Sequence, residues 1–177
     1  MIIYPRLAIL LVHTPFNWKR PLTLISYLIR KVTGSYWNHC AVLIEIEGVL
    51  FIVESDIKGV TMLPYKNWVK EQEIAVYYVS DALNKRGKLL EKVGNVGYSF
   101  KDLFWFMPIY LLTGQFYGQK VDGYSNKPTC YEFAAWWLGI QDWYKMTPDK
   151  FINNLKVNKY ISRFEGIFKA KEYETKR

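Results

Sequence analysis

Two apolar, β-branched runs, 39 HCAVLIEI and 49 VLFIVE, are separated only by Glu47-Gly48. Nothing else in the chain restricts its fold so tightly. A two-residue connection ending in glycine predicts an antiparallel hairpin with a tight turn. The turn also sets the register: His39 faces Asp56, Ala41 faces Glu54 and Leu43 faces Ile52. Side chains alternate across a strand, so these residues share one face, while Cys40, Val42 and Ile44 share the other. Glu54 becomes the diagonal neighbour of His39, roughly 7–8 Å away at the backbone and within reach of long side chains. A three-residue loop would slip this register and move the carboxylate away.

Other elements follow from pattern and punctuation. Residues 6–13, 59–64 and 74–79 read as further strands, and 21–32 as a helix after Pro21 that Gly34 ends. Helices are expected at 81–93, capped by Ser80 or Asp81, from Ser99 to 112, at 129–139 and at 148–155. Early strands and late helices imply an α+β domain. At 177 residues, half of them hydrophobic, one domain with a sizeable core is expected over 1–168. The basic run from 169 to 177, KAKEYETKR, reads as a solvated tail.

Charge and composition narrow the function classes. The net charge of +8 suits an anionic surface. The basic residues form no stripe and no nucleic-acid motif is present, so no specific nucleic-acid partner is expected. Seven Trp and fourteen Tyr suit a core or a cleft wall. The apolar stretch 103–112 is too short to span a bilayer and reads as a buried helix. The N-terminal apolar run lacks a basic n-region and is too short for a signal peptide. A cytoplasmic or viral-particle location is the resulting expectation. Oligomeric state is not legible.

Two cysteines, Cys40 and Cys130, cannot form a disulfide scaffold and show no zinc-ligand spacing. Cys130 follows Thr129, and Glu132 stands three residues after that threonine, the pattern of a capping box. Cys130 is therefore the first residue of a helix, where free N–H groups and the helix dipole favour a thiolate. Such a nucleophile needs a base. His13 closes an apolar strand and reads as a packed or rim residue, whereas His39 has Glu54 or Asp56 on its face. A carboxylate holding one imidazole nitrogen leaves the other for a thiol. Cys40, on the opposite face, reads as core.

In this order and spacing the chain resembles the circularly permuted papain-like cysteine hydrolases, the permuted branch of the NlpC-type superfamily. YiiX-like amidases and lecithin–retinol acyltransferase relatives belong there. In papain the cysteine precedes the histidine; in the permuted branch, as here, the histidine strand comes first. The resemblance covers roughly residues 6–155, through LAILLVHTP, LISYLIRKVTGSYWNHCAVLIE, LFIVESDIKGVTMLPY, VGYSFKDLF, TCYEFAAWWLG and MTPDKF. It implies a small antiparallel sheet packed against helices, with the nucleophile at a helix N-terminus. Carried over, Cys130 is the nucleophile, His39 the general base and Glu54 the residue orienting it. Tyr98 and the aromatic segment 104–117 are expected along the substrate cleft, with Tyr131 reshaping it and the Gly-rich loop 113–128 covering it. Two positions depart from the family: Asn38 stands where serine is usual before the histidine, and Tyr131 where serine is usual after the cysteine. The implied activity is amide cleavage on peptide, isopeptide or peptidoglycan-like substrates, without metal or organic cofactor. Lipid acyl transfer, or a non-catalytic particle component keeping the fold, are the alternatives.

Overall fold

The turn at Glu47-Gly48 takes positive φ at both residues, 49° and 79°, the pairing that matches the twist of antiparallel strands. It joins β2 (His39–Ile46) to β3 (Val49–Asp56) with Val42 opposite Val53 and Leu43 opposite Ile52, the register expected from a two-residue turn. The computed structural model describes residues 6–19, 23–56, 58–80, 86–96, 111–113 and 128–175. Within them the chain is α+β, built on a six-stranded antiparallel sheet.

The remaining strands are β1 (Leu7–His13), β4 (Gly59–Pro64), β5 (Glu73–Val79) and β6 (Ile161–Lys169). The sheet order is β4-β3-β2-β1-β5-β6, and every neighbouring pair is antiparallel. β1 is an unbroken apolar run because both faces of the sheet are covered. Leu7, Ile9 and Leu11 join one core cluster with Cys40, Val42 and Ile44; Ala8, Leu10 and Val12 join the other with Ala41 and Leu43.

The helices divide between those faces. On the Cys40 face lie α4 (Cys130–Leu138) and α5 (Pro148–Val157), contributing Phe133, Trp137, Phe151 and Leu155. The opposite face is covered by α2 (Tyr65–Trp68) and α6 (Ala170–Thr175), through Tyr65, Trp68 and Tyr173. Before β2 comes α1 (Thr23–Thr33), none of whose residues is fully buried, followed by Gly34 at φ 69°. Among the described residues of the expected 81–93 helix, Arg86–Leu90 is helical (α3). Residues 81–85 lie outside the described set, and 91–95 form turns that bond to β4 through Gly94 and Val60.

Two expectations need correction. The run from 169 is not a solvated tail over its described residues, 169–175: Lys169 pairs with Glu73 at the end of the β5–β6 ladder, and α6 buries Ala170 and Tyr173. The physical reason is the edge position: on β6 Phe164 and Ile167 are exposed along with Arg163 and Glu165, and burial is concentrated at Ala170 and Tyr173 just beyond it. The Ser80 N–H donates to the Tyr160 carbonyl, anchoring the entry to β6, and the cap expected at Ser80 or Asp81 lies against residues outside the described set. The expected Ser99–112 helix lies outside the described residues except at 111–113, which are helical. There Leu111 and Leu112 are exposed rather than buried.

Candidate active site

Thr129 is extended, at φ −68° and ψ 168°, and halts the chain at the start of α4. Its hydroxyl oxygen accepts from the Glu132 N–H at 3.4 Å, and its own N–H donates to Glu132 Oε2 at 2.8 Å. This is the expected capping box, and it fixes Cys130 as the first helical residue, whose N–H has no intrahelical acceptor. The Ser55 hydroxyl donates to the Pro128 carbonyl at 2.6 Å and ties the helix start to β3. At the other end Gly139 adopts the left-handed conformation, φ 72°, and closes the helix.

His39 opens β2 at the end of the sheet where α4 begins. Its Nε2 lies 2.7 Å from Glu54 Oε2 on β3. The same oxygen accepts the Trp68 indole N–H at 2.9 Å. With Nε2 committed to the carboxylate, Nδ1 remains for the thiol of Cys130, which is in side-chain contact with the imidazole. Glu54, and not Asp56, is the partner of His39. Asp56 instead accepts the Lys58 N–H at 2.8 Å in a turn.

The electrostatics fit a charged pair. The Cys130 thiol lies well below the ordinary thiol range. The largest cause is the hydrogen bond from the Cys40 thiol; burial opposes it, and the charge and hydrogen bond of His39 and the Cys40 N–H reinforce it. For His39, burial pushes the imidazole down, but Cys130 and then Glu54 outweigh it and hold the ring well above its usual value. Burial would likewise raise the Glu54 carboxyl, yet its bonds to His39 and Trp68 and the charge of Lys70 leave it lowered. These directions favour a thiolate, an imidazolium and a carboxylate in series, each charge stabilised by its neighbour.

These groups border one cavity of about 630 Å³. Val12, Ile25, Ile29, Met62 and Leu63 give it apolar walls, and Asp56, Lys58 and Lys70 add charge. Among the described residues, no three His, Cys, Asp or Glu side chains converge as a metal-binding group.

Several expectations shift here. Tyr131 does not border the cavity. It is 4% exposed, packs edge-on against Phe151, and donates its hydroxyl to the His39 carbonyl at 3.3 Å. It braces the histidine strand from behind, because the second helical residue turns into the core as the first faces the sheet end. Tyr98, the aromatics of 104–117 and nearly all of the loop 113–128 lie outside the described residues. Asn38 pins the loop after β1: its Oδ1 accepts from the Thr14 N–H at 2.7 Å. His13 stacks on Tyr36 and donates from Nδ1 to the Tyr36 carbonyl at 2.8 Å, the packed role expected of it.

Cys40 is buried on the core face, as alternation requires, and it also lies beside Cys130. Its thiol donates to the Cys130 carbonyl oxygen, with Sγ 3.1 Å from it. Alternation fixes the face of a side chain, but not which face the later helix covers. α4 packs on the Cys40 face with its first turn at the sheet end, so one thiol meets both Cys40 and His39. Trp68 was not foreseen either. Its only signal was an indole N–H that, once buried, needs an acceptor. No protein-family model matches the chain, and no match to a curated protein was found.

Proposed function

We propose that the protein is a cysteine hydrolase of permuted papain-like architecture that cleaves an amide bond through a thioester. The observation that carries this reading is the series Glu54–His39–Cys130, with 2.7 Å between carboxylate and imidazole and the thiol at a helix N-terminus. The order of these residues along the chain, histidine strand first and cysteine helix late, supports the permuted architecture.

The pair starts as thiolate and imidazolium. Cys130 Sγ attacks the carbonyl carbon, and the Cys130 N–H donates to the developing oxyanion. The C–N bond then breaks, and His39 gives its proton to the leaving nitrogen. Water attacks the thioester, with His39 taking the proton, and the thiolate leaves as the acid is released. Glu54 keeps the ring oriented and compensates its positive charge throughout; Trp68 holds Glu54 in place. The apolar cavity walls favour a second reading, in which the acyl group comes from a lipid ester by the same steps.

The test is a short-time quench with panels of peptide, isopeptide, peptidoglycan-fragment and lipid-ester substrates, followed by intact mass. The expected result is an acyl adduct on Cys130 that neutral hydroxylamine removes and that is missing in Cys130→Ala. If no panel member leaves an adduct and iodoacetamide shows no preference for Cys130 over Cys40, the hydrolase reading fails.

A further inference from the structure

Both cysteines of the chain meet at one point, and they meet unequally. Cys130 borders the cavity, while Cys40 is 1% exposed and does not. Cys40 Sγ already lies 3.1 Å from a main-chain atom of Cys130, the carbonyl oxygen to which its S–H donates. The residues are 90 positions apart and sit on different elements, β2 and α4. A disulfide asks the two sulfurs to close to about 2.05 Å.

We infer that Cys130 and Cys40 form a reversible oxidation site, in which a peroxide entering the cavity oxidises Cys130 and Cys40 then closes a disulfide onto it. In the first step the Cys130 thiolate attacks one peroxide oxygen. The O–O bond breaks, sulfur is oxidised to the sulfenic acid, and hydrogen peroxide is reduced to hydroxide. In the second step Cys40 sulfur attacks Cys130 sulfur, the S–OH bond breaks, and the hydroxyl leaves with the Cys40 proton as water. Two equivalents of an external thiol reverse the change by exchange.

The unequal environments assign the two roles. Cys130 is the thiolate and the one a small oxidant can reach. Cys40 is held as a thiol, first by burial and then by contact with the Cys130 thiolate. Oxidation of Cys130 removes that neighbouring charge and frees Cys40 to react. Because Cys40 is buried, its partner is the Cys130 of its own chain. The disulfide would protect Cys130 from irreversible oxidation and block it as a nucleophile.

The experiment reads mass alone and does not depend on hydrolysis. Full-length protein is exposed to limiting hydrogen peroxide, quenched with N-ethylmaleimide in denaturant, and mapped without reduction. The expected result is a linked pair of Cys40 and Cys130 peptides, lighter by two hydrogens than the two free peptides and lost on treatment with dithiothreitol. In Cys40→Ala the same exposure should carry Cys130 to the sulfinic acid, which dithiothreitol does not restore. Should that variant fail to fold, the wild-type map decides alone. Conversion of wild-type Cys130 to sulfinic acid with no linked pair would overturn the inference. So would mixed pairs from a blend of isotopically labelled and unlabelled protein, which would show linkage between molecules.

Discussion

Cys130, His39 and Glu54 hold one another charged, so the pH response of each has a defined sign. Cys130 and Glu54 are lowered; their contribution to stability is complete above their unfolded values and is lost as pH falls through the folded ones. His39 is raised; its contribution is complete below its unfolded value and is lost as pH rises through the folded one. Alkylation of Cys130 by iodoacetamide should therefore stay on its plateau well below the ordinary thiol value of about 8.5. His39→Gln should move the midpoint up towards that value, since the charge and hydrogen bond of the imidazolium are gone. An unchanged midpoint would separate the imidazole from the thiol. Glu54→Gln should cut turnover on the order of 10²-fold, because the ring loses both its orientation and its counter-charge. Steady-state rates at saturating substrate measure this, and a variant with wild-type turnover would remove Glu54 from the mechanism. The placement of these three was legible because local patterns determine it: a capping box places the thiol, and a two-residue turn places histidine and carboxylate. The contact of Cys40 with Cys130 and the bond of Trp68 to Glu54 were not, because they arise only when α4 and α2 pack on opposite faces of the sheet.

The helix that carries the thiol depends on its ends. Thr129 satisfies one first-turn N–H, and Glu132 returns a bond to the Thr129 N–H. Thr129→Ala should cost about 1 kcal/mol, read from the urea midpoint at unchanged slope. A midpoint equal to wild type would mean that the box contributes nothing. At this scale, elements with strong punctuation were legible: β1 to β4, α1, α4 and α5 all carry apolar periodicity bounded by Gly, Pro or a cap, and β5 carries a β-branched and aromatic apolar run. By contrast, β6 has Ser162, Arg163 and Glu165 within ISRFEGIFK, and its ladder with β5 has irregularities at Val76/Tyr77 and Tyr78/Val79. Exposed, charged edge strands lack the apolar density by which sequence patterns are recognised.

Across the whole molecule, residues 170–175 complete the core opposite α4. Tyr173 is 3% exposed, packs near Tyr65 and Phe168, and shares a hydroxyl–hydroxyl hydrogen bond of 2.9 Å with Tyr78. Lys169 pairs with Glu73 across the β5–β6 edge. Tyr173→Ala should therefore destabilise the protein by about 3 kcal/mol in denaturant unfolding. A solvated tail would lose less than about 0.5 kcal/mol from the same substitution. This contribution escaped the sequence because a basic, Lys- and Glu-rich stretch conceals two buried positions, Ala170 and Tyr173, among residues that face water.

The site also has a timetable. His39 and Glu54 are 15 residues apart on one hairpin, whereas Cys40 and Cys130 are 90 apart. Local pairings form before distant ones, because less chain entropy is lost in closing them. In a growing or refolding chain the histidine and carboxylate are thus engaged before the thiol arrives. Until α4 docks, Cys130 has neither its imidazolium nor the Cys40 donor, and it behaves as an ordinary thiol. Pulses of iodoacetamide during refolding should find Cys130 slow at first and fast only in the last phase. Its heightened reactivity thus serves as a clock for completed folding: the protein arms its sulfur last.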